Sequence, residues 1–303
     1  SDCRIGLSPD RFILSYCDRA LGVTSAEEQP VLPKGNNLSL HLLELFTSRV
    51  AKVGMTDGIR QVLQEESDAL RAYYEQAGIL IARPAGGTSC RLAISAKGGT
   101  NAENHNHNDV GSYAVALGSE TMVGDQGGPN SYPGDYFNGD APQKYKIKGS
   151  FGHPVPVVDG RTQSSGGKAK GVVLQKEFTN EKDVFSIDYT SAYSTPNLDK
   201  LIRTFVYDRQ GEGNFTVGDE FTAKTPIRFE TAITTRADWK ILDDTHLLLA
   251  TDSEQMVVAI DASGKVAFTS ETIEVNSPAY TRIGITLKNQ SKEGYIRLKM
   301  YTK

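Results

Sequence analysis

Short apolar runs, each bounded by Gly, Pro, Asn or Asp, recur from Ile79 to the C-terminus, and this pattern most limits the folds open to the chain. The runs are rich in β-branched and aromatic residues and have the length of ordinary strands. They cover residues 79–83, 90–95, 172–174, 184–189, 201–207, 227–231, 247–249, 256–260, 281–287 and 295–300. Because no helical run separates them, they predict antiparallel sheets, most simply a β-sandwich, over residues 77–303.

Residues 1–76 show helical spacing instead. Three helices are predicted, one over residues 8–21, one over residues 38–53, and a third that begins at Thr56 and ends at Gly78. The chain is therefore predicted to be mainly β, with a short α-helical region before the sandwich.

Composition excludes several classes of protein. The 303 residues are 38% hydrophobic and 23% charged, and their formal net charge is −4. This charge gives no electrostatic reason to expect nucleic acid or an anionic membrane as a partner. No run of roughly 18 apolar residues is present, so no membrane span is predicted. The start at Ser1, without a signal peptide, indicates a processed chain or a fragment of a longer one.

Cysteine chemistry is not expected to carry the function. The three cysteines, Cys3, Cys17 and Cys90, are widely separated and form no C-x-x-C motif. A disulfide between Cys3 and Cys17 is one alternative, and buried free thiols are the favoured one.

One stretch holds a candidate metal site. His105 and His107 are two residues apart, which in an extended strand would put both imidazoles on one face. A predicted hairpin over residues 113–123 can bring Asp125 back beside them, and His153 precedes another strand-like run. Two imidazoles and a carboxylate on adjacent strands suit Zn²⁺ with an open position. The alternative is that each histidine is an ordinary surface or core residue.

Several polar features near this stretch have competing interpretations. Asp109 is close enough to orient a histidine ring. Lys144, Lys146 and Lys148 alternate with apolar residues on a candidate strand, which is either a solvated sheet face or a carboxylate-binding edge of a cleft. The Gly-rich strings lack a phosphate-binding motif, so no nucleotide site is predicted.

The long irregular region 127–149 is rich in Gly and Tyr, and long loops in compact domains are often functional. Tyr132, Tyr136 and Tyr145 are predicted to lie at the rim of a cleft, where their rings can pack against sugar faces. The alternative for each tyrosine is an ordinary core anchor.

The residues 98–127, 150–154 and 158–160 carry a resemblance. They resemble the C-terminal β-sandwich domain of the heparinase II/III family of polysaccharide lyases, which includes heparin/heparan and alginate lyases. The H-x-H-x-D…D-x-G…H pattern is fairly specific to that family. One departure is Pro154, where the family usually has Asn after the histidine.

The resemblance implies an architecture and a set of roles. Family members join an α/α toroid to the sandwich, so the helical region would be the end or a remnant of a toroid. His105 matches the active-site histidine, and the neighbouring Asn104 becomes a candidate substrate-binding residue. His107, Asp125 and His153 match the ligands of a zinc ion that is mainly structural. The family's catalytic Tyr and carboxylate-neutralising Asn and His lie on the toroid, and residues 1–76 show no counterpart.

Three functions remain open at this point. The first is a polysaccharide lyase that eliminates at a uronic acid of an acidic polysaccharide or oligosaccharide. By resemblance, this chain would be the C-terminal part of a longer enzyme that is periplasmic or secreted. The second is a non-catalytic, zinc-containing carbohydrate-binding sandwich, and the third is a zinc hydrolase. The sequence does not choose between uronate polymers or give the oligomeric state.

Overall fold

The computed structural model describes residues 70–303 except 104, 125–127, 130 and 276. The helices predicted before residue 70, the cysteines Cys3 and Cys17, and two candidate site residues, Asn104 and Asp125, lie outside the described residues.

The described residues form nineteen strands and one short helix, α1 (Ala141–Lys144). The strands are β1 (Arg71–Tyr74), β2 (Ile79–Ala82), β3 (Leu92–Lys97), β4 (Thr100–Asn101), β5 (Tyr113–Leu117), β6 (Glu120–Val123), β7 (Val157–Val158), β8 (Gly166–Lys170), β9 (Val172–Phe178), β10 (Lys182–Asp188), β11 (Leu198–Asp208), β12 (Asn214–Ile227), β13 (Phe229–Thr235), β14 (Asp238–Asp243), β15 (His246–Ala250), β16 (Gln255–Ala262), β17 (Val266–Val275), β18 (Ser277–Leu287) and β19 (Ser291–Thr302).

Within this part of the chain the strands pair in four antiparallel sheets. The largest has the order β14-β15-β16-β19-β12-β11-β10-β9, and a five-stranded sheet has the order β1-β2-β3-β5-β6. A four-stranded sheet follows β17-β18-β13-β7, and β4 pairs with β8. The five- and four-stranded sheets meet edge to edge, since the Gly124 N–H donates to the Thr234 carbonyl at 3.0 Å and the Thr235 hydroxyl donates to the Met122 carbonyl at 2.6 Å.

Aromatic rings join these two sheets to the eight-stranded sheet. The ring of Tyr113 on β5 lies 6.2 Å from Phe205 on β11 and 5.9 Å from Phe215 on β12. Farther along β12, Phe221 stacks on Phe229 of β13 at 4.6 Å. The large sheet therefore forms one layer and the two smaller sheets the other. This arrangement confirms the predicted mainly β sandwich.

Alternating burial explains why the strands were visible in the sequence. Along β5, alternate residues are buried and the two between them are half-buried, as expected for a sheet with one face on the core. Strand β13 differs, because all seven of its residues are buried. An irregular segment covers the outer face of its sheet: the Tyr280 hydroxyl of β18 donates to the Gly152 carbonyl at 2.9 Å, and Arg282 lies over the Phe151 ring at 4.2 Å.

Two local predictions are wrong. The third helix was predicted to run to Gly78, but Arg71–Tyr74 form strand β1, which pairs with β2. The Tyr73 ring there packs 5.8 Å from Phe185, so tertiary packing outweighs helical spacing. The strand predicted over the three lysines is also absent: α1 ends at Lys144, and turns follow.

Other local predictions are confirmed. The hairpin over residues 113–123 is present as β5 and β6, and Cys90 is a buried free thiol. In the part of the chain that the structure describes, no helix is long and apolar enough to cross a membrane.

Candidate active site

Two buried histidines lie next to each other where the loop before β5 meets the irregular segment that covers β13. The rings of His107 and His153 lie 5.1 Å apart, and both are buried. The two segments that carry them run together, since the Asn108 N–H donates to the Lys148 carbonyl at 3.0 Å. The structure thus brings together two of the three predicted metal ligands from positions 46 residues apart in sequence.

The hydrogen bond of His153 fixes its tautomer. His153 follows a 3₁₀ turn at Ser150–Gly152, and its Nε2 lies 3.0 Å from the Ile147 carbonyl oxygen. A carbonyl can only accept, so Nε2 carries the proton and the lone pair of the neutral ring is on Nδ1. Metal-binding histidines are oriented in this way, with the second ring nitrogen bonded to a carbonyl or carboxylate.

Tyr136 is the corresponding neighbour of His107. Its hydroxyl lies 3.3 Å from His107 Nε2, and its ring is fully buried. Tyr136 is therefore buried beside the histidine that it orients, and it also borders a groove beside the Tyr-rich loop, so its role at a cleft rim stays a prediction. The Asp109 carboxylate, expected to orient a ring, pairs with Lys97.

The two predicted ligands that the structure describes, His107 and His153, fit a zinc site. Two buried imidazoles with orienting partners are ligands that Zn²⁺ prefers. The third predicted ligand, Asp125, is outside the described residues. Among the residues that are described, no group of three or more His, Cys, Asp and Glu side chains could hold a metal ion. Zinc at this position therefore stays a prediction.

The prediction that His105 and His107 share one face of a strand is wrong. Residues 105–107 lie in a loop, and His105 has a φ of 54°. A left-handed residue breaks strand alternation, so the two rings have different surroundings. His105 is exposed and its ring lies 5.0 Å from that of Phe137, whereas His107 points into the interior.

His105 and His107 line a cleft of about 420 Å³ with residues of β3 and β5. Its other charged residues are Lys97, Glu103 and Asp109, of which Lys97 is already paired with Asp109. Because the cleft has one lysine and two carboxylates, its lining has no net positive charge when the histidines are neutral. The local basic site that an acidic polysaccharide needs is therefore not supplied by the described residues of this cleft.

A second groove, of about 820 Å³, lies between the Tyr-rich loop and β17 and is lined by Tyr132 and Tyr145. Lys144 also lines it and pairs with Asp135, while Lys146 pairs with Glu271. The hydrogen bond from Lys144 lowers the pKa of Asp135, and the bond that the Tyr145 hydroxyl donates to Asp135 raises the pKa of Tyr145. These lysines are thus committed to acidic partners.

Phe137 is a further candidate site residue, and no pattern in the sequence predicts it. Its ring is 51% exposed and lies 5.0 Å from His105 and 5.1 Å from Tyr132, so it stands between the two grooves. The buried Lys148 ammonium supports it from 4.6 Å and donates to the Tyr136 carbonyl at 2.7 Å. No periodic signal marks an exposed ring in an irregular loop, and only its position beside Tyr136 could have drawn attention to it.

Gln163 holds the loop of His107 in place. Its carboxamide accepts from the Val110 N–H at 3.1 Å and donates to the Val110 carbonyl at 2.7 Å. Its own N–H donates to the Ser150 hydroxyl at 2.8 Å, in the turn before His153. Gln163 therefore contacts both histidine segments, with its side chain on the His107 side and its backbone N–H on the His153 side, although nothing in the sequence distinguishes it.

Comparison with known proteins places the fold. No family model matches the sequence, and no curated protein matches it. Among solved structures, the fold is polysaccharide-lyase-like. The chain is similar to the heparan sulfate lyase HepC from Pedobacter heparinus, with a TM-score of 0.65 and 13% identity over 97% of this chain and 42% of that one. It is also similar to a heparinase III, with a TM-score of 0.60 and 18% identity over 77% of this chain and 36% of that one.

These comparisons confirm the predicted resemblance at the level of the fold. At such low identity they establish the fold alone. The chain spans about two fifths of the length of these structures.

Proposed function

We propose that this chain is the sandwich part of a polysaccharide lyase that cleaves an acidic polysaccharide by β-elimination at a uronic acid. The supporting observation is the buried pair of His107 and His153 next to the exposed His105, on a fold similar to heparinase III. HepC is a heparan sulfate lyase, and that substrate is a property of HepC. For this chain the proposal extends to uronate polymers as a class.

The chemistry sets the tasks of the site. A uronic acid has a weakly acidic proton on C5, next to its carboxylate. Elimination requires a base for that proton, an acid for the departing 4-linked oxygen, and stabilisation of the charge that develops on the carboxylate. His105 is the candidate for proton transfer, because it is exposed in the cleft, and an imidazole can accept and donate protons near neutral pH.

His107, Asp125 and His153 would hold a zinc ion. When bound, it supplies no reacting group and crosslinks the loops that present the cleft. Tyr136 and the Ile147 carbonyl orient the two imidazoles for this purpose. The proposed role is structural, which distinguishes this site from that of a zinc hydrolase.

The exposed rings supply candidate sugar platforms. Phe137 stands next to His105, and Tyr132 and Tyr145 line the adjacent groove, so a bound chain could cross from one groove to the other. Asn104 stays a candidate substrate-binding residue through its position next to His105 in the sequence.

Neutralisation of the substrate carboxylate is the task for which the described cleft is poorly equipped, since its one lysine faces two carboxylates. We infer that a further region of the enzyme, of the kind that family members carry on a toroid, supplies those donors. A periplasmic or secreted location, where such polymers are met, is part of this proposal.

The test is to incubate the protein with a panel of uronate-containing glycans and to follow the absorbance of unsaturated uronates. The proposal expects such absorbance, and its loss in His105→Ala. Binding without any unsaturated product, including in a longer parent chain, would instead support the non-catalytic carbohydrate-binding sandwich. Cleavage that depends on zinc and yields no unsaturated product would support the hydrolase.

A further inference from the structure

A buried arginine lies beneath the histidine site. Arg203 on β11 is fully buried and makes a two-pronged ion pair with Asp219 on β12: Nε to Oδ1 and Nη2 to Oδ2 are both 2.7 Å. The Tyr189 and Thr231 hydroxyls also donate to Asp219, each at 2.7 Å. Burial opposes the charge on Arg203, but the Asp219 carboxylate and the neighbouring Tyr189 and Tyr113 together favour it, and the pKa of the guanidinium is raised.

The remaining nitrogen of Arg203 reaches the opposite layer. Nη1 donates to the Gly111 carbonyl and to the Pro154 carbonyl, both at 2.7 Å. Gly111 ends the loop that carries His107, and Pro154 directly follows His153. One guanidinium group therefore binds both segments whose histidines meet in the site.

We propose that Arg203 is a positioning residue that fixes the His107 and His153 segments relative to each other and so sets the affinity of the zinc site. The inference rests on the metal site of the proposed function. Charge-assisted bonds from a buried guanidinium to two carbonyls are strong and directional, so they limit the movement of either segment. A lysine could not bond both carbonyls and keep the forked pair with Asp219.

The backbone at Gly111 is shaped for this contact. Its φ is 86°, and a Cβ there would meet the Tyr189 ring at 3.3 Å and the Arg203 Cδ at 3.6 Å. Glycine adopts this φ without strain and leaves room for the Tyr189 ring, so the Gly111 carbonyl can face the guanidinium. The left-handed backbone at Gly111 is thus part of the contact between this loop and Arg203.

A second buried Arg–Asp pair in the same sheet offers a matched control. Arg209 bonds Asp183 at 2.5 Å and also donates to the carbonyls of Arg83 and Leu70, which are remote in sequence from both histidine segments. Asp183 also pairs with Arg71 at 2.9 Å, and the Arg71 side chain is 22% exposed, so its charge keeps access to solvent when Asp183 is replaced. Removing one member of a buried pair leaves an uncompensated charge and can unfold the protein, so both members are replaced. The two double variants are Arg203→Met/Asp219→Leu and Arg209→Met/Asp183→Leu.

Zinc affinity is measured by chelator competition on each folded variant. The proposal expects wild-type affinity in the Arg209 double variant and a fall of about 10- to 100-fold in the Arg203 double variant, the range for groups that orient metal ligands. Equal affinities in both variants, or equal losses in both, would show that Arg203 acts only on general stability and would overturn the proposal.

A metal-free measurement keeps this test separate from the proposed function. The chain has five histidines, so ¹⁵N-histidine spectra can resolve the Nε2 proton that His153 donates to Ile147. We expect that proton to exchange slowly in the wild type and the Arg209 double variant, and fast in the Arg203 double variant. If the wild type binds no zinc, the metal site of the proposed function is wrong. The exchange rate then decides the positioning role by itself. Unchanged exchange in the Arg203 double variant would overturn that role.

Discussion

His105 and His107 are separated by one residue but occupy different environments. The sequence predicts both as site residues, but the prediction from strand alternation that they share one face is wrong. A single left-handed residue, His105 with a φ of 54°, is enough to separate them. A local spacing rule predicts side-chain direction only where the backbone is regular, and binding loops are often irregular.

The first prediction separates the roles of these two residues. His105→Ala should leave the melting temperature and the zinc content near wild type, because the ring is exposed, while lyase activity in a competent full-length context falls by about 10²- to 10⁴-fold. His107→Ala should lower zinc content and melting temperature together, because it removes a buried ring and a ligand.

Thermal melts, elemental analysis and absorbance assays on both variants check this. Loss of zinc from His105→Ala would show that the roles are wrongly divided. Full activity in that variant would remove His105 from the chemistry.

The second prediction concerns Gly111. Gly87 and Gly111 both have positive φ, but a Cβ on Gly87 meets nothing within 4 Å, whereas one on Gly111 meets the Tyr189 ring at 3.3 Å. Gly87→Ala should cost about 1–2 kcal/mol of unfolding free energy from backbone strain alone. Gly111→Ala should cost a further ~1–3 kcal/mol from crowding. Denaturant titrations of both variants measure the difference, and equal costs would show that the loop shifts freely away from Tyr189.

Among the elements, the strands were predictable and the irregular loop was not. Residues of β5 alternate between core and partly exposed positions because one face of the sheet is buried, and that alternation is visible in the sequence. Strand β1 was missed because its tyrosines also fit a helical spacing, and only the pairing with β2 decides between them. The alternation of Lys144, Lys146 and Lys148 imitates a strand, although the backbone there forms α1 and turns.

The third prediction belongs to this irregular loop. Phe137→Ala should weaken binding of acidic oligosaccharides, since a stacked ring contributes about 0.5–1.5 kcal/mol, equivalent to about 2- to 12-fold in the dissociation constant. Leu174 on β9 is 53% exposed, comparable with 51% for Phe137, so Leu174→Ala is a matched control. Calorimetric titration with uronate oligosaccharides should show a loss only for Phe137→Ala. An unchanged dissociation constant would indicate that Phe137 is not a sugar platform.

In the whole molecule, the site depends on contacts that no local pattern encodes. His107 and His153 come from separate segments, and Arg203, which bonds to both segments, comes from the opposite layer of the sandwich. The sequence could indicate that these histidines belong to one site through the family resemblance. It could not indicate Gln163 or Arg203, because their roles exist only after the layers have packed.

The last prediction is that metal removal destabilises the whole sandwich. A ligand that binds only the native state stabilises it by RT ln(1 + [L]/Kd), which is about 2.7 kcal/mol at a hundredfold excess over Kd. For a domain of this size each kcal/mol shifts the melting temperature by about 2–4 °C. Treatment of the wild type with a chelator should therefore lower its melting temperature by several degrees, and Zn²⁺ should restore it.

His153→Ala provides the control, because the buried imidazole that it removes is also a proposed ligand. Its melting temperature should lie below that of the wild type and should respond little to chelator or to Zn²⁺. The direct loss of packing is present under both conditions, so the difference between them isolates the contribution of the metal. A wild-type melting temperature that chelator does not lower and added Zn²⁺ does not raise would contradict a stabilising metal and leave His107 and His153 as a buried polar pair.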